Sequence, residues 1–119
     1  VKLFKETIYK ETKELINYMQ IHQIRVYGEE LSTNIIPEGI HQDGFNIVGI
    51  YCVSRKNIIG GINNIYDEQK DFVYAKQLEE GEMIVINDRK MYHDVSNVQL
   101  YDNDGGGGYR DVFILTTIA

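Results

Sequence analysis

Three side chains in this sequence have the chemistry of a metal site: His41, Asp43 and His93. His41 and Asp43 are two positions apart, and because residues two apart in extended backbone project to the same side, both can reach one ion. The pair alone is weak evidence, since the chain holds 18 acidic residues and such pairs arise by chance. His93 would add a third ligand from a distant strand. Two imidazoles and one carboxylate, with other positions open, predict a non-haem iron(II) site, whereas zinc usually takes a closed tetrahedral set or three ligands plus water.

Arg110 is the candidate for binding a carboxylate, because it opens a run of Val, Phe, Ile and Leu near the end of the chain. An inward arginine in such a strand is costly unless it meets an anion, and a guanidinium matches a carboxylate with two parallel hydrogen bonds. Asp111 is the next residue, so it points to the opposite face and is not the obvious partner. The carboxylate of a co-substrate is therefore a candidate partner for Arg110.

Arg25 and Tyr27 lie in an earlier predicted strand and are candidate substrate contacts. A second inward arginine could hold the carboxylate of an amino acid, and Tyr27 could donate a hydrogen bond to it. An exposed strand arginine and an ordinary strand aromatic are the alternatives. His22 has no acid at ligand spacing, and we interpret it as a structural residue. Cys52 lies between apolar neighbours and is expected to pack in the core.

One helix followed by short strands would have to position these residues. From residue 2 to about residue 20, apolar side chains recur with the 3.6-residue period of an amphipathic helix. Short runs rich in Val, Ile, Tyr and Phe follow and predict strands at residues 24–27, 45–53, 62–66, 72–77, 83–87 and 109–118. Between them, Gly60-Gly61 indicates either a simple turn or a close backbone approach near the co-substrate. The pattern predicts a mainly β fold, a double-stranded β-helix of the jelly-roll, cupin-like type with the helix packed outside.

Length and charge limit the organisation and the partners. The chain has room for one domain, with residues 1–21 as its N-terminal helix and residues 22–119 as its β core. The four-glycine run at 105–108 lacks the Lys-Ser/Thr of a phosphate-binding loop and precedes a predicted strand, so it receives no catalytic role. A net charge of -6 disfavours nucleic acid and anionic membranes, and no window approaches the roughly 18 apolar residues of a membrane span. We expect a cytoplasmic protein with a small-molecule ligand; the oligomeric state is not predicted.

Four segments resemble the bacterial 2-oxoglutarate/iron dioxygenases that hydroxylate free L-amino acids, typified by L-isoleucine 4-hydroxylase. These segments are 37–44 (Pro-Glu-Gly-Ile-His-Gln-Asp-Gly), 60–61 (Gly-Gly), 88–93 (Asp-Arg through His) and 109–111 (Tyr-Arg-Asp). The resemblance covers nearly all of the chain from about residue 22 onward. It implies iron(II) at His41, Asp43 and His93, the distal carboxylate of 2-oxoglutarate at Arg110, and O2 as the oxidant.

The same resemblance implies the reaction, in which 2-oxoglutarate is converted to succinate and CO2 while a free aliphatic L-amino acid is hydroxylated. Asp43 favours hydroxylation, because halogenating relatives have a small residue there that leaves space for chloride. Many members of the wider superfamily have Ser at the position of Val112, so a second hydroxyl for the co-substrate must come from elsewhere. Family members are generally longer at the amino terminus, and residue 1 is Val rather than Met, which suggests a fragment or a trimmed chain.

Two alternatives stay open from the sequence. The first is a dioxygenase that acts on another substrate, such as a peptide, a small alcohol or a biofilm-related metabolite. The second is a cupin-like module, or an inactive truncated barrel, that binds a metal or ligand without turnover.

Overall fold

The computed structural model describes residues 2, 4–6, 18–28, 39–102 and 106–117, and these form short antiparallel strands with a helical segment at residues 2 and 4–6. The strands are β1 (Met19–Tyr27), β2 (Ile47–Lys56), β3 (Ile58–Gly60), β4 (Ile62–Tyr66), β5 (Phe72–Gln77), β6 (Met83–Asn87), β7 (Tyr92–Val95), β8 (Val98–Leu100) and β9 (Tyr109–Thr117).

The strands pair in an order that brings distant parts of the chain together. A four-stranded sheet has the order β1-β9-β2-β6, a three-stranded sheet has the order β5-β4-β7, and β3 pairs with β8. Each of these pairings is antiparallel, and the first and last strands are neighbours. The predicted mainly β architecture of the jelly-roll type is confirmed.

Agreement with the predicted strands is closest where alternating runs are five or six residues long. β4, β5 and β6 match the predicted ranges residue for residue. β1 begins at Met19, so the predicted helix was wrong to extend through residue 20, and residues 7–17 of that prediction lie outside the described part of the chain. β3, β7 and β8 have only three or four residues, too few for a period of two to be recognised.

The four-stranded sheet buries side chains on both faces. On the inner face, Val48 and Cys52 of β2 join Val112 of β9 in the main core cluster. On the outer face, Phe4 of the helical segment is fully buried and packs with Ile47 and Leu115, residues that alternate with the inner set. Burial of one such phenylalanine contributes about 1.5 to 3 kcal/mol. The helical segment therefore covers the outside of the sheet, and none of the described helical residues belongs to a helix long and apolar enough to cross a membrane.

Gly49 makes the packing of Phe4 possible. A Cβ atom at Gly49 would lie 2.5 Å from Cε1 of the Phe4 ring, closer than real Cβ atoms approach their neighbours. Without a side chain at this position, the ring can lie directly on the backbone of β2. Substitution here would push the helical segment away from the sheet.

Candidate metal centre

Two backbone hydrogen bonds join the segments that carry the predicted histidine ligands. The N–H of His41 donates to the carbonyl of His93, and the N–H of His93 donates to the carbonyl of His41, each at 2.9 Å. His93 belongs to β7, whereas His41 forms an isolated bridge beside it. Residues 29–38, which include the start of the motif at 37–44, lie outside the described residues.

The three predicted ligands converge on one point. Asp43 lies between the two imidazoles, with Oδ1 3.3 Å from Nε2 of His41 and Oδ2 3.1 Å from Nε2 of His93. One ligand atom from each residue can be chosen so that all three lie within 4.8 Å of one another. Two nitrogen donors and one carboxylate oxygen in this arrangement fit an octahedral iron(II) ion with positions left for other ligands.

A backbone carbonyl orients the His41 ring. Nδ1 of His41 lies 2.7 Å from the carbonyl oxygen of Gly39, which can only accept, so Nδ1 carries the hydrogen. This tautomer leaves the lone pair on Nε2, the atom that faces Asp43. A hydrogen bond of this kind fixes both the ring orientation and the ligating nitrogen of a metal-binding histidine.

Asp88 supports the centre, although in the sequence it stood out only as the first residue of the 88–93 segment. Its side chain is 2% exposed and directly follows β6. Its carboxylate accepts hydrogen bonds from the backbone N–H of Asp43, at 3.1 Å to each oxygen, and from that of Phe45, at 2.9 Å. Oδ1 of Asp88 also lies 3.8 Å from Nδ1 of His93. The only signal in the sequence was an acid at the end of an apolar strand, which is common in turns.

The metal centre opens into a cavity of about 440 Å³ between the sheets. Apolar side chains of β1, β2 and β9 form much of its wall, among them Ile24, Val48, Val112 and Ile114. Arg110 lines the same cavity and is 5% exposed, and its Nε and Nη2 atoms have no hydrogen-bond partner among the described residues. A buried guanidinium with unsatisfied nitrogen atoms is a costly group, so its position indicates an anion that the described residues do not provide.

The electrostatic surroundings of Arg110 also favour an anion. Burial lowers the pKa of its guanidinium, and the positive charge of Arg55 acts in the same direction. Arg55 donates to the backbone carbonyls of Leu78 and Gly60, so no carboxylate among these contacts neutralises it. A carboxylate next to Arg110 would offset both effects, and the co-substrate carboxylate predicted from the sequence fits this place.

Gly61 approaches the side chain of Arg110 closely. A Cβ atom at Gly61 would lie 3.0 Å from Cδ and 3.2 Å from Nε of Arg110, and the φ angle of Gly61 is +68°. Of the two interpretations of Gly60-Gly61, a close backbone approach therefore describes Gly61. The glycine leaves room for the guanidinium and adopts a backbone conformation that other residues rarely take.

The structure does not bring Arg25 and Tyr27 to the cavity. Along β1 the cavity is lined by alternate residues, His22, Ile24 and Val26, so the side chains between them project to the outer face. His22, interpreted as structural, thus lies on the cavity side, with an exposed side chain.

On the outer face, Arg25 has partners of its own. It donates from Nε and Nη2 to the two oxygens of Asp111, each at 2.7 Å, and its guanidinium lies 4.2 Å from the ring centroid of Tyr109. Tyr27 is 63% exposed. Of the two interpretations of Arg25, the exposed strand arginine describes its position, because the register of β1 puts it beside the carboxylate of Asp111 on the outer face of β9.

Comparison with known proteins gives a family and several similar folds. A family model described as 2OG-Fe dioxygenase matches residues 1–116. A bsmA homologue from Methylobium petroleophilum PM1 is 22% identical with a TM-score of 0.71, covering 86% of this chain and 41% of that one. IDO from Bacillus thuringiensis is 18% identical with a TM-score of 0.74, covering 98% of this chain and 54% of that one. The selenomethionine-labelled Fe(II)/α-ketoglutarate-dependent dioxygenase TqaL is 14% identical with a TM-score of 0.76, covering 98% of this chain and 51% of that one.

At these identities the likeness to solved structures shows the fold alone. The chain spans about half the length of those three proteins. A search of curated protein sequences gave no match.

Proposed function

Since this chain belongs to the 2OG-Fe dioxygenase family, we propose that it carries the iron and co-substrate centre of an oxygenase that hydroxylates a small molecule. One observation carries the proposal: a cluster of two histidines and one aspartate opens into the same cavity as a buried arginine whose Nε and Nη2 atoms have no hydrogen-bond partner in the described part of the chain. A metal-binding cluster alone would fit many proteins. The unpaired guanidinium beside it favours a co-substrate that binds the metal and also carries a carboxylate.

Each residue of the cluster has a distinct part. His41 and His93 would provide neutral imidazole nitrogens, and Asp43 would provide the one charged oxygen, which leaves positions on the ion for other ligands. Bound iron and 2-oxoglutarate supply the oxidising chemistry, in which O2, 2-oxoglutarate and a C–H bond give succinate, CO2 and an alcohol. Because Asp43 occupies the third protein position, hydroxylation rather than halogenation is the proposed outcome.

Arg110 would bind the distal carboxylate of 2-oxoglutarate. The contact would satisfy two buried nitrogen atoms and neutralise a charge that burial otherwise disfavours. It would also orient the co-substrate, because a planar guanidinium accepts a carboxylate in a limited set of geometries. Water would be kept from this end of the cavity by the apolar side chain of Val112, which lines it and is 2% exposed.

A free aliphatic L-amino acid is the proposed substrate. The resemblance found in the sequence favours it, and the apolar side chains of β1, β2 and β9 in the cavity wall suit an aliphatic side chain. Arg25 and Tyr27 receive no part in binding this substrate, because they lie on the other face of β1. A cytoplasmic location remains a prediction from the sequence.

Anaerobic titration tests the metal and co-substrate part of the proposal. Iron(II) and then 2-oxoglutarate are added to the chain, and the visible charge-transfer absorption of the iron chelate is recorded. The absorption should develop with the wild-type chain and fail with His93→Ala. Iron binding without this absorption would contradict the proposal.

A second measurement tests turnover. Free aliphatic amino acids are screened in air for succinate formation that depends on iron, 2-oxoglutarate and the amino acid together. A metal-binding module without turnover is the second candidate, and the exposure of Ile24 and Val26 in the β1 wall of the cavity favours it. Chelate absorption without succinate from any small molecule tested would support that alternative.

A further inference from the structure

Asn63 on β4 is a second buried polar group that the described structure leaves without a partner. Its side chain is 3% exposed and lines the cavity, and no described residue accepts a hydrogen bond from its Nδ2 atom. An amide donor buried without an acceptor opposes folding, so such groups in native proteins usually have a ligand or ordered water. Nothing in the sequence alone singles out Asn63 as a binding residue.

The register of β4 places Asn63 between the metal ligands and Arg110. Ile65 lies opposite His93 in the pairing of β4 with β7, and Asn63 lies opposite Val95, one inward position further along. Two residues before Asn63, Gly61 lies so near the side chain of Arg110 that an added Cβ atom would be 3.0 Å from its Cδ. A molecule that reaches from the metal to Arg110 therefore passes the amide of Asn63.

We propose that Asn63 is a second binding residue for 2-oxoglutarate, with its Nδ2 amide donating a hydrogen bond to a carboxylate oxygen. This inference rests on the proposed function, since it needs a co-substrate in the cavity. It also provides the missing donor near Arg110, because Val112, the next inward residue of β9, has no hydroxyl. A neutral amide adds a donor without a further positive charge beside Arg110 and Arg55, which already disfavour one another.

Thr116 is the competing donor, because its buried Oγ1 also lacks a partner among the described residues and its side chain lines the same cavity. Its place argues against contact with the co-substrate. Thr116 lies three inward positions beyond Arg110 on β9. Asn63, in contrast, lies on β4, which pairs directly with β7, the strand that carries His93. Thr116→Val therefore serves as a comparison in the test.

Asn64 provides a matched control. It is the next residue and the same residue type, but its Nδ2 donates to Oδ1 of Asp94 at 2.8 Å, away from the cavity. Asn63→Leu removes an unpartnered amide at similar size, so the protein without ligands should keep its thermal stability or gain some. Asn64→Leu removes a formed hydrogen bond, so it should lower stability and leave 2-oxoglutarate affinity unchanged.

The experiment measures three quantities for each variant: iron(II) affinity, 2-oxoglutarate affinity of the iron-loaded chain from the charge-transfer absorption, and thermal unfolding without ligands. Asn63→Leu should weaken 2-oxoglutarate binding roughly 10- to 100-fold, the range expected for a hydrogen bond to a charged group, with iron affinity unchanged. Asn63→Asp keeps the size of the side chain and adds a negative charge, so it should weaken 2-oxoglutarate binding further. This second variant keeps the test decisive if Asn63→Leu does not fold.

The outcomes separate this inference from the function on which it rests. Absence of the absorption with the wild-type chain would overturn both. Absorption with the wild-type chain and unchanged 2-oxoglutarate affinity in both Asn63 variants would overturn the role of Asn63 alone. A loss in Thr116→Val that matches or exceeds the loss in Asn63→Leu would move the second contact to Thr116.

Discussion

His41 and His93 are fixed to one another through the backbone, because each donates its N–H to the carbonyl of the other at 2.9 Å. The two residues are far apart in the sequence, yet a single antiparallel bridge sets the separation of their rings, whose centroids are 4.4 Å apart. The two imidazoles are therefore positioned by the sheet before any metal binds. Preorganisation of this kind lowers the entropic cost of forming the site.

Replacement of a ligand should remove iron binding. His41→Ala, Asp43→Ala and His93→Ala each delete one of three protein ligands, so none should bind iron(II) at stoichiometric metal in an equilibrium titration. His22→Ala is the control, because His22 lines the cavity outside the cluster and should leave iron affinity unchanged. Tight binding retained by any of the three ligand variants would contradict the assignment of that residue.

Replacement of Arg110 should separate stability from co-substrate affinity. Arg110→Met removes a buried charge that meets no partner at Nε or Nη2 among the residues the structure describes, so the free energy of unfolding without ligands should rise. The same change should weaken 2-oxoglutarate binding by about 1.5 to 3 kcal/mol, roughly 10- to 100-fold, because it removes a charge-assisted contact. Chemical unfolding and the chelate titration measure the two effects. Equal 2-oxoglutarate affinity in the variant and the wild type would place the carboxylate contact elsewhere.

Replacement of Asp88 should weaken the metal site without removing a ligand. Asp88→Asn abolishes the charge that holds the backbone of Asp43 and Phe45, and changes to such supporting groups typically reduce metal affinity about 10- to 100-fold. Asp94→Asn is the matched control, since Asp94 is next to His93 but accepts from Asn64 and Tyr66. Isothermal titration with iron(II) compares the two. A similar loss of affinity in both variants would indicate general destabilisation.

Substitution of Gly61 should disturb Arg110. Gly61→Ala forces a Cβ atom into a left-handed backbone position and against the Arg110 side chain, so both stability and 2-oxoglutarate affinity should fall. The backbone cost alone is about 1 to 2 kcal/mol. Gly81→Ala carries the same kind of cost, with a φ of +86° and no atom within 4 Å of the added Cβ, so it should lower stability only. If both variants keep wild-type 2-oxoglutarate affinity, close packing on Arg110 has no part in co-substrate binding.

The pair formed by Arg25 and Asp111 should make stability depend on pH. The hydrogen bonds that Arg25 donates to Asp111 hold the pKa of the Asp111 carboxyl group below its usual range. As pH falls, the Asp111 carboxylate is protonated in the unfolded chain before it is protonated in the folded chain. The stabilisation that the ion pair gives at neutral pH is therefore lost as pH falls through the pKa of Asp111 in the folded chain. Asp111→Asn should be less stable than the wild type at neutral pH, with a difference that shrinks in acid. Urea unfolding across this range measures it, and a constant difference would show that packing rather than charge is responsible.

Much of the candidate site could be predicted because its chemistry is local or rare in this sequence. The chain has only three histidines, and the alternation of side chains along a strand puts His41 and Asp43 on one side whatever the rest of the fold does. The same alternation separates Arg110 from Asp111, and an inward arginine among apolar residues implied an anion before any contact was known. Strands with five or six alternating residues were likewise readable from composition and period.

Which face of a strand turns inward was decided only by tertiary structure. Alternation predicts that Arg25 and Tyr27 share a face of β1. The pairing of β1 with β9 determines that this is the outer face, where Arg25 donates to Asp111. The roles of Asp88 and Asn63 depend on segments far away in the chain. Asp88 accepts a hydrogen bond from the backbone of Asp43, and the position of Asn63 is set by the pairing of β4 with β7. The sequence by itself determined the ligand types and the strand period. Register between distant strands, which depends on packing of the whole core, decided which side chains meet in the cavity.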